Sequence, residues 1–581
     1  MPPTNAEVAA ALHELADLLE IEGGDRFRIL AYRRAGDAVA VLGRSVSGIP
    51  EAQLVEVHGI GKATAGRIAE LVSTGRMRAL DALRERFPPG VLEMTRLGGL
   101  GPKKALVLHR ALGVTSLEEL REAVDAGRLR EVPGFGARSE DNVRRALERH
   151  ARIEQRTPMG TALGLAEDLL RPIRQHPAVE RAAYAGSLRR MRDTIGDLDI
   201  LIATSDPAGV LRAFAGPGDG PFDSSLDTAS EVIARGPAKV SLVSGSGLQV
   251  DLRVVAGDQF GSAMQYFTGS QAHNVKVREH AVRSGLKLSE YGLFRGAERI
   301  AGASEEEVYA ALGMQTPLPT LREDRGEVEL ALRGALPRVV VLEDLRGDLQ
   351  SHSTYSDGRR TLREMAMAAA AKGHQYYAVT DHGANLAVTR SLSLADIDAQ
   401  AREVAEINEE LGGRMVLLHG LEANIGLDGE LDYPDEVLAR FDVVVASLHH
   451  QLAMERPAMT RRVLKALRNP EVNIFGHPTG RMLPRRPASD FDIEQACRVA
   501  AEEGVAMEIN SSPRRLDLKD EHVVIAREAG CVFAISTDAH SIGELDYLRF
   551  GVGTAQRGWV TPERVITTWP LGELRPFLAK A

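Results

Sequence analysis

The chain has 581 residues, 44% of them hydrophobic and 26% charged, and a formal net charge of -10. That length exceeds what one hydrophobic core serves, so several domains are expected. No apolar run reaches the ~18 residues of a membrane helix, and the opening MPPTNAEVAAALHELADLLE reads as an amphipathic helix and not an export signal, so a cytoplasmic protein is expected. Two cysteines, Cys497 and Cys531, exclude a disulfide scaffold and a thiolate zinc site, leaving oxygen and imidazole to hold any metal. Charge is uneven along the chain. Residues 344–581 carry 27 Lys+Arg against 35 Asp+Glu and nine of the sixteen histidines, which leaves the 343 residues before them close to neutral. Acid and imidazole concentrated together suit divalent cations better than a phosphate backbone.

Residues 1–150 read as helices punctuated by glycine. Three similar turns recur: VHGIGK at 57–62, LGGLGPK at 97–103 and VPGFG at 132–136. In each, a glycine pair (Gly59 and Gly61, Gly99 and Gly101, Gly134 and Gly136) flanks one apolar residue ahead of a helix. The glycines allow a tight turn that aims backbone N–H groups at a phosphate, and the apolar residue plugs the turn. These turns resemble helix-hairpin-helix motifs. The resemblance implies DNA binding through the backbone, independent of base sequence and steeply weakened by salt.

From residue 151 the pattern changes to helix and strand, leading to GSLRRMRDTIGDLDI at 186–200. Asp197 and Asp199 precede the apolar Ile200-Leu201-Ile202, so both carboxylates share one face of a strand about 7 Å apart. Such a pair can grip two divalent ions spaced by about 4 Å, as phosphoryl displacement requires. Gly186 and Ser187, followed by Arg189 and Arg190, offer the turn, hydroxyl and guanidinium groups that a triphosphate needs. Asp251, inside the strand-like LQVDLRVV at 248–255, is the candidate third carboxylate on a neighbouring strand.

With this carboxylate triad, the chain resembles a family X DNA polymerase related to DNA polymerase beta. YFTGS at 266–270, with Asn274 and Arg278 after it, resembles that family's nucleotide-cradling thumb motif. The resemblance implies that Tyr266, Phe267, Gly269, Asn274 and Arg278 line the nucleotide, with Asn274 and Arg278 inspecting the minor-groove edge of the new base pair. It implies Mg or Mn at Asp197, Asp199 and Asp251. Two departures carry weight. The lysine that forms a Schiff base in the family's lyase domain is Arg67 here, and a guanidinium cannot be that nucleophile, so weak or absent lyase activity is expected. Gln249 stands where animal relatives have an arginine, leaving Asp251 less supported.

Residues 315–343 read as a charged, proline-containing linker with one helix in it. Beyond it, apolar runs at 376–379, 415–418, 443–446, 473–475, 506–509 and 532–535 alternate with helical stretches. Nearly every run ends in a metal-type residue: Asp348, His352, Asp357, Asp381-His382, Glu422, His449, His477, Asp538 and His540. Ligands at successive strand C-terminal ends describe a β/α barrel with its site on that face. The set resembles a PHP domain, and a PHP domain behind a family X polymerase is the bacterial arrangement. That resemblance implies two or three Mn or Zn ions and a 3'-5' exonuclease or abasic-site endonuclease. Many PHP domains have His-x-His where this chain has Gln350-Ser351-His352, and an amide is a poor substitute for imidazole on a transition metal.

The expected fold is therefore multidomain α/β. It comprises a lyase-like helical domain (1–85), helix-hairpin-helix fingers (86–150), a nucleotidyltransferase palm (151–255), a thumb (256–318), a linker (319–343) and a distorted PHP barrel (344–581). The expected partners are gapped or primer-template DNA and dNTPs, with no membrane, for a monomer associated with the nucleoid. With only 4% aromatic residues, stacking platforms for long single strands are few, and gapped duplex is the expected substrate.

Overall fold

The computed structural model describes residues 3, 5–40, 46–55, 57, 59–84, 86–87, 90–91, 94, 100, 102–137, 139–144, 147, 156–215, 231–245, 247–384, 391–483 and 486–579. They fall into two compact units, Met1–Gln155 and Arg156–Ala581.

The first unit is helical. Helices Asn5–Glu22 and Arg26–Ala40 pack through Val8, Leu12, Leu15 and Leu19 against Ile29, Tyr32, Ala35 and Val39, stripes at helical spacing. Gly23, at φ 85°, ends the first of them in the left-handed conformation that a Cβ disfavours. Helices Lys62–Thr74, Arg78–Arg84, Pro102–Leu112 and Leu117–Asp125 follow. One buried apolar cluster runs from Val8 to Leu147. The expected boundary between residues 85 and 86 therefore does not divide the core, because the lyase-like and finger segments share it.

The second unit begins with β1 (Thr157–Pro158), which pairs with β3 (Thr194–Ile195). Its first large sheet consists of β2 (Val179–Tyr184), β4 (Asp197–Thr204), β5 (Glu231–Arg235), β6 (Lys239–Val243) and β7 (Gln249–Val255), in the order β2-β4-β7-β6-β5. Only the β4–β7 pairing is parallel. Helix Met159–Gln175 packs Ala162, Leu163, Ala166, Leu169, Leu170 and Ile173 into the same core as Leu198, Ile200 and Val250. The thumb adds helices Phe260–Thr268 and Gln271–Arg283 and the antiparallel strands β8 (Lys287–Ser289), β9 (Gly292–Arg295) and β10 (Glu298–Ala301).

The C-terminal strands are β11 (Gly347–Asp348), β12 (Tyr376–Val379), β13 (Val416–Asn424), β14 (Val443–Ser447), β15 (Ile474–Gly476), β16 (Ala506–Asn510) and β17 (Phe533–Ser536). All are parallel and lie in chain order. Buried on both faces, they carry the continuous apolar runs that such strands require. The ends of the sheet meet where Ser351 bridges Ala539, the His352 N–H donates to the Ala539 carbonyl (2.8 Å) and the Asp538 N–H to the Gln350 carbonyl (3.1 Å), so the barrel is nearly closed.

The expected linker is a packed strap. Its helix, Glu327–Leu332, is present, but Arg322 is buried and bound to Glu305 and the Pro317 carbonyl. Glu323 meets Arg190 (2.9 Å) from the palm and Arg557 (2.8 Å) from the barrel. Arg557 also donates to the Arg190 carbonyl (2.9 Å) and pairs with Asp520 (2.6 Å). Burial alone would raise the Glu323 carboxyl, but Arg557, Arg190 and Arg192 outweigh it and hold it at about 2. Leu516 and Phe550 of the barrel share the palm's core with Leu188 and Ile195. Palm and barrel are thus one body, because removing either would expose apolar surface and unpair buried charge.

Candidate active sites

In the palm, the parallel register sets Asp199 directly opposite Asp251 and Asp197 opposite Gln249. The three candidate carboxylates therefore meet across two adjacent strands, graded from exposed Asp197 to Asp251 at 4% exposure. Burial and the Asp197 charge push Asp199 up to about 6, and burial with the Asp251 charge raises Asp197. Carboxylates crowded enough to resist ionisation fit a site for divalent cations. Asp251 goes the other way. Burial would raise it, but Lys239 Nζ at 2.6 Å, Ser241 and Gln249 hold it below the usual carboxylate range.

Lys239 is a residue the sequence reading missed. It lies on β6, where Ser241 is the register partner of Asp251, so Lys239 reaches it diagonally. Arg253 adds a guanidinium 3.2 Å from Asp251 and 3.6 Å from Asp199, and stacks 4.2 Å from the Phe267 ring centroid. Asp251 is therefore well supported, despite Gln249, whose amide donates to it at 3.2 Å.

Gly186 begins the turn after β2 at φ 62°, and a Cβ there would lie 2.7 Å from Asp199 Oδ2, so only glycine fits against the carboxylate. Ser187 is half-buried beside it. Arg190, expected on the triphosphate, is instead bound to Glu323 and the Thr268 carbonyl (2.6 Å), while Arg189 holds Thr268 Oγ1 (2.7 Å) and Glu305 (2.5 Å). Both arginines tie the turn at Gly186 to the thumb. In the thumb, Gly269 adopts φ 69° against Arg190, and Tyr266 and Phe267 pack edge to face at 5.0 Å. The Asn274 amide donates to the Tyr266 carbonyl (2.6 Å) and accepts from Gln265 (2.7 Å). Arg278 lies 5.9 Å from the Tyr266 ring centroid.

In the first unit, two of the expected hairpins are described and share one geometry. Gly59 (φ 92°) and Gly134 (φ 89°) are left-handed. Ile60 and Phe135 are buried, and their N–H groups donate to Val57 and Val132. Gly61 caps helix Lys62–Thr74 without a side-chain acceptor for its first N–H groups, and Gly136 accepts from Ser139 and Glu140. Gly99 and Gly101 lie outside the described residues. Arg67 is paired with Glu70 at 3.2 Å.

The barrel brings eight of its ten candidate ligands together. Glu422, at the core, has Oε1 2.9 Å from His477 Nε2 and 3.2 Å from His449 Nε2, and Oε2 3.0 Å from His382 Nδ1 and 3.5 Å from His352 Nε2. Asp357 lies 3.4 Å from His540, 3.5 Å from His382 and 3.8 Å from His352. Asp538, in a left-handed conformation at φ 57°, reaches His352 Nε2 at 3.1 Å. Ligand atoms of His352, Asp357, His382 and His540 form one group within 4.8 Å of one another, and those of His382, Glu422 and His449 another. Both Glu422 oxygens, His449 Nε2 and His382 Nδ1 are buried without a hydrogen bond of proper geometry. Imidazole nitrogens and carboxylate oxygens that converge without bonding one another fit cations between them.

Asp348 and Asp381, both expected as ligands, are the exceptions and lie outside this cluster. The Asp348 carboxylate accepts from the Thr537 N–H and hydroxyl and from the Gln350 N–H, tying β11 to the end of β17. Asp381 has a similar role, accepting from Ser353 and Gln400. The sequence reading also missed Asn424, which orients His449 through Nδ1 (2.7 Å), Glu508, which holds the His477 N–H, and Arg515, 3.2 Å from Asp538.

Carboxylates converging on adjacent strands beside a glycine turn define a nucleotidyltransferase, and a histidine-lined barrel defines a phosphoesterase; this chain contains both. Family models match as a helix-hairpin-helix domain (residues 3–77), a SAM-like helix-hairpin-helix tandem (91–149), a DNA polymerase beta thumb (263–323) and a PHP domain (348–512). The thumb match extends into the strap, past the expected boundary at 318. The chain is 36% identical over 578 residues, 99% of both chains, to the DNA polymerase/3'-5' exonuclease PolX of Bacillus subtilis (strain 168). It is 28% identical over 336 residues to DNA polymerase lambda of Rattus norvegicus, 55% of this chain and 53% of that one. It is 28% identical over 249 residues to a probable phosphatase of Thermoanaerobacter sp. (strain X514), 41% of this chain and 94% of that one. The chain belongs to the PolX family of bacterial family X DNA polymerases with a C-terminal PHP domain. Among the described residues, no helix is long and apolar enough to cross a membrane.

Proposed function

We propose that the palm extends a primer across short gaps in duplex DNA from dNTPs, and that the barrel shortens the 3' end by hydrolysis. The observation that carries the first half is the register of Asp199 against Asp251, beside a turn at Gly186 that tolerates no side chain. Asp197 and Asp199 would hold two Mg or Mn ions, with Asp251 sharing one of them. Bound there, these ions polarise the phosphate and neutralise its charge. Asp251 accepts the proton of the primer hydroxyl, and Lys239 keeps it ionised for that purpose. Ser187 binds the triphosphate, while Arg189 and Arg190 fix the turn against the thumb. Tyr266, Phe267, Gly269, Asn274 and Arg278 form the wall against the new base pair.

In the barrel, His352, Asp357, His382, Glu422, His449, His477, Asp538 and His540 would hold Mn or Zn. The glycine turns at Gly59, Gly61, Gly99, Gly101, Gly134 and Gly136 grip the DNA backbone, and with Arg67 in place of the family lysine the module has weak or absent lyase activity. A labelled primer facing a one-nucleotide gap with a 5' phosphate tests both halves. Asp251→Asn is expected to lose extension and keep shortening, and His449→Ala to do the reverse. Extension surviving in Asp251→Asn would sink the palm assignment, and shortening surviving in His449→Ala the barrel assignment.

A further inference from the structure

Gln350 occupies the one position where the barrel departs from an imidazole-rich set, and its surroundings are unusual. The residue is fully buried, and neither atom of its side-chain amide has a hydrogen-bond partner. Its backbone carbonyl accepts from the Asp538 N–H, and its Oε1 lies 3.6 Å from the point where a Cβ on Gly476 would stand, next to His477. The amide thus points into the barrel interior between ligand-bearing strand ends, where polar atoms go unsatisfied unless something binds.

The same end of the site carries a fixed positive charge. Asp538 gives one oxygen to His352 Nε2 and the other to Arg515 Nε at 3.2 Å and Asn510 Nδ2 at 3.2 Å. The other ligands divide between two places that need neither Gln350 nor Asp538. One is His352, Asp357, His382 and His540, and the other, sharing His382, is Glu422 and His449, with His477 2.9 Å from Glu422. A third ion would have to rely on a His352 already shared with the first place, a Glu422 shared with the second and an Asp538 already neutralised by a guanidinium, with an amide in place of a second imidazole. Transition metals bind amide oxygen far more weakly than imidazole. A guanidinium offers a planar fork suited to phosphate oxygens.

We propose that this barrel holds two ions and not three, and that the Arg515 guanidinium supplies the missing positive charge at the Asp538 end and binds the substrate's phosphate there. The proposal rests on reading the barrel as a metal-dependent phosphoesterase, and its test separates the two. Metal content is measured on the full chain carrying Asp197→Asn and Asp251→Asn, so that the palm contributes none, after loading with Mn and dialysis. Two equivalents are expected, rising to three on adding Gln350→His. Three equivalents without that change, or two with it, would overturn the proposal and leave the metal-site reading standing, whereas none in either protein would remove both. Calorimetric titration with inorganic phosphate tests the guanidinium. In the Mn-loaded protein, Arg515→Ala is expected to weaken phosphate binding at least tenfold with the metal count unchanged. Phosphate binding equal to that of the parent protein would refute the role of Arg515.

Discussion

The palm and barrel sites are built on opposite plans within one compact body. The palm gathers carboxylates at the starts of two inner strands, leaves Asp197 open to solvent, and offsets the charge with Lys239 and Arg253. The barrel buries His352, His382 and His477 around Glu422, and Asn424 and Glu508 orient the ligands from behind. Oxygen-only, partly hydrated sites suit hard ions that arrive and leave with a nucleotide, while buried imidazole suits transition metals held between turnovers. On the proposed reading, the two sites respond differently to the ions around them.

Chelation would break this comparison most sharply. After metal is stripped and Mg alone returned, extension is expected to recover in full while shortening stays at background until Mn or Zn is added. Recovery of both activities with Mg alone would erase the distinction. A smaller effect is expected from Lys239→Met, which removes the cation on Asp251. Extension should fall by about tenfold to a hundredfold, with gapped-DNA binding and shortening unchanged, and a gap-filling rate equal to wild type would show Lys239 to be dispensable.

The strap that joins the two sites gives a pH signature. Folding lowers the Glu323 carboxyl from its ordinary 4.5 to about 2. It therefore contributes stability that is fully present above about pH 4.5 and is lost as pH falls towards 2, on the order of 3 kcal/mol by linkage. Wild type should melt above Glu323→Gln at neutral pH, and the gap should close on acidification. A gap that is constant with pH would mean that the carboxylate is not what holds palm to barrel. The smallest effect is expected in the hairpins. Gly59→Ala places a Cβ 3.2 Å from the Arg34 carbonyl at φ 92°, a strain of about 1–2 kcal/mol, and should weaken DNA binding severalfold and equally on unrelated sequences. Gly61, with open space around its Cβ position, should tolerate alanine. Anisotropy titrations on two duplexes distinguish these outcomes.

What the sequence alone determined is local. Strand runs such as 376–379 and 506–509 match β12 and β16 closely because a strand buried on both faces must be continuously apolar. Asp197 and Asp199 share a face because the period of a strand is two, and Gly59 and Gly134 mark turns because their backbone demands glycine. Most candidate ligands were legible because they follow the ends of apolar runs. Tertiary structure decided what depends on which strands become neighbours. It put Asp251 beside Asp199, brought Lys239 from β6 onto Asp251, drew Asp348 inward to Thr537 and turned Arg190 onto Glu323. It also made the expected linker a packed strap. Periodicity is written in contiguous residues, whereas the partner of a charge is set by the register and closure of sheets assembled from distant segments, and no local spacing records that.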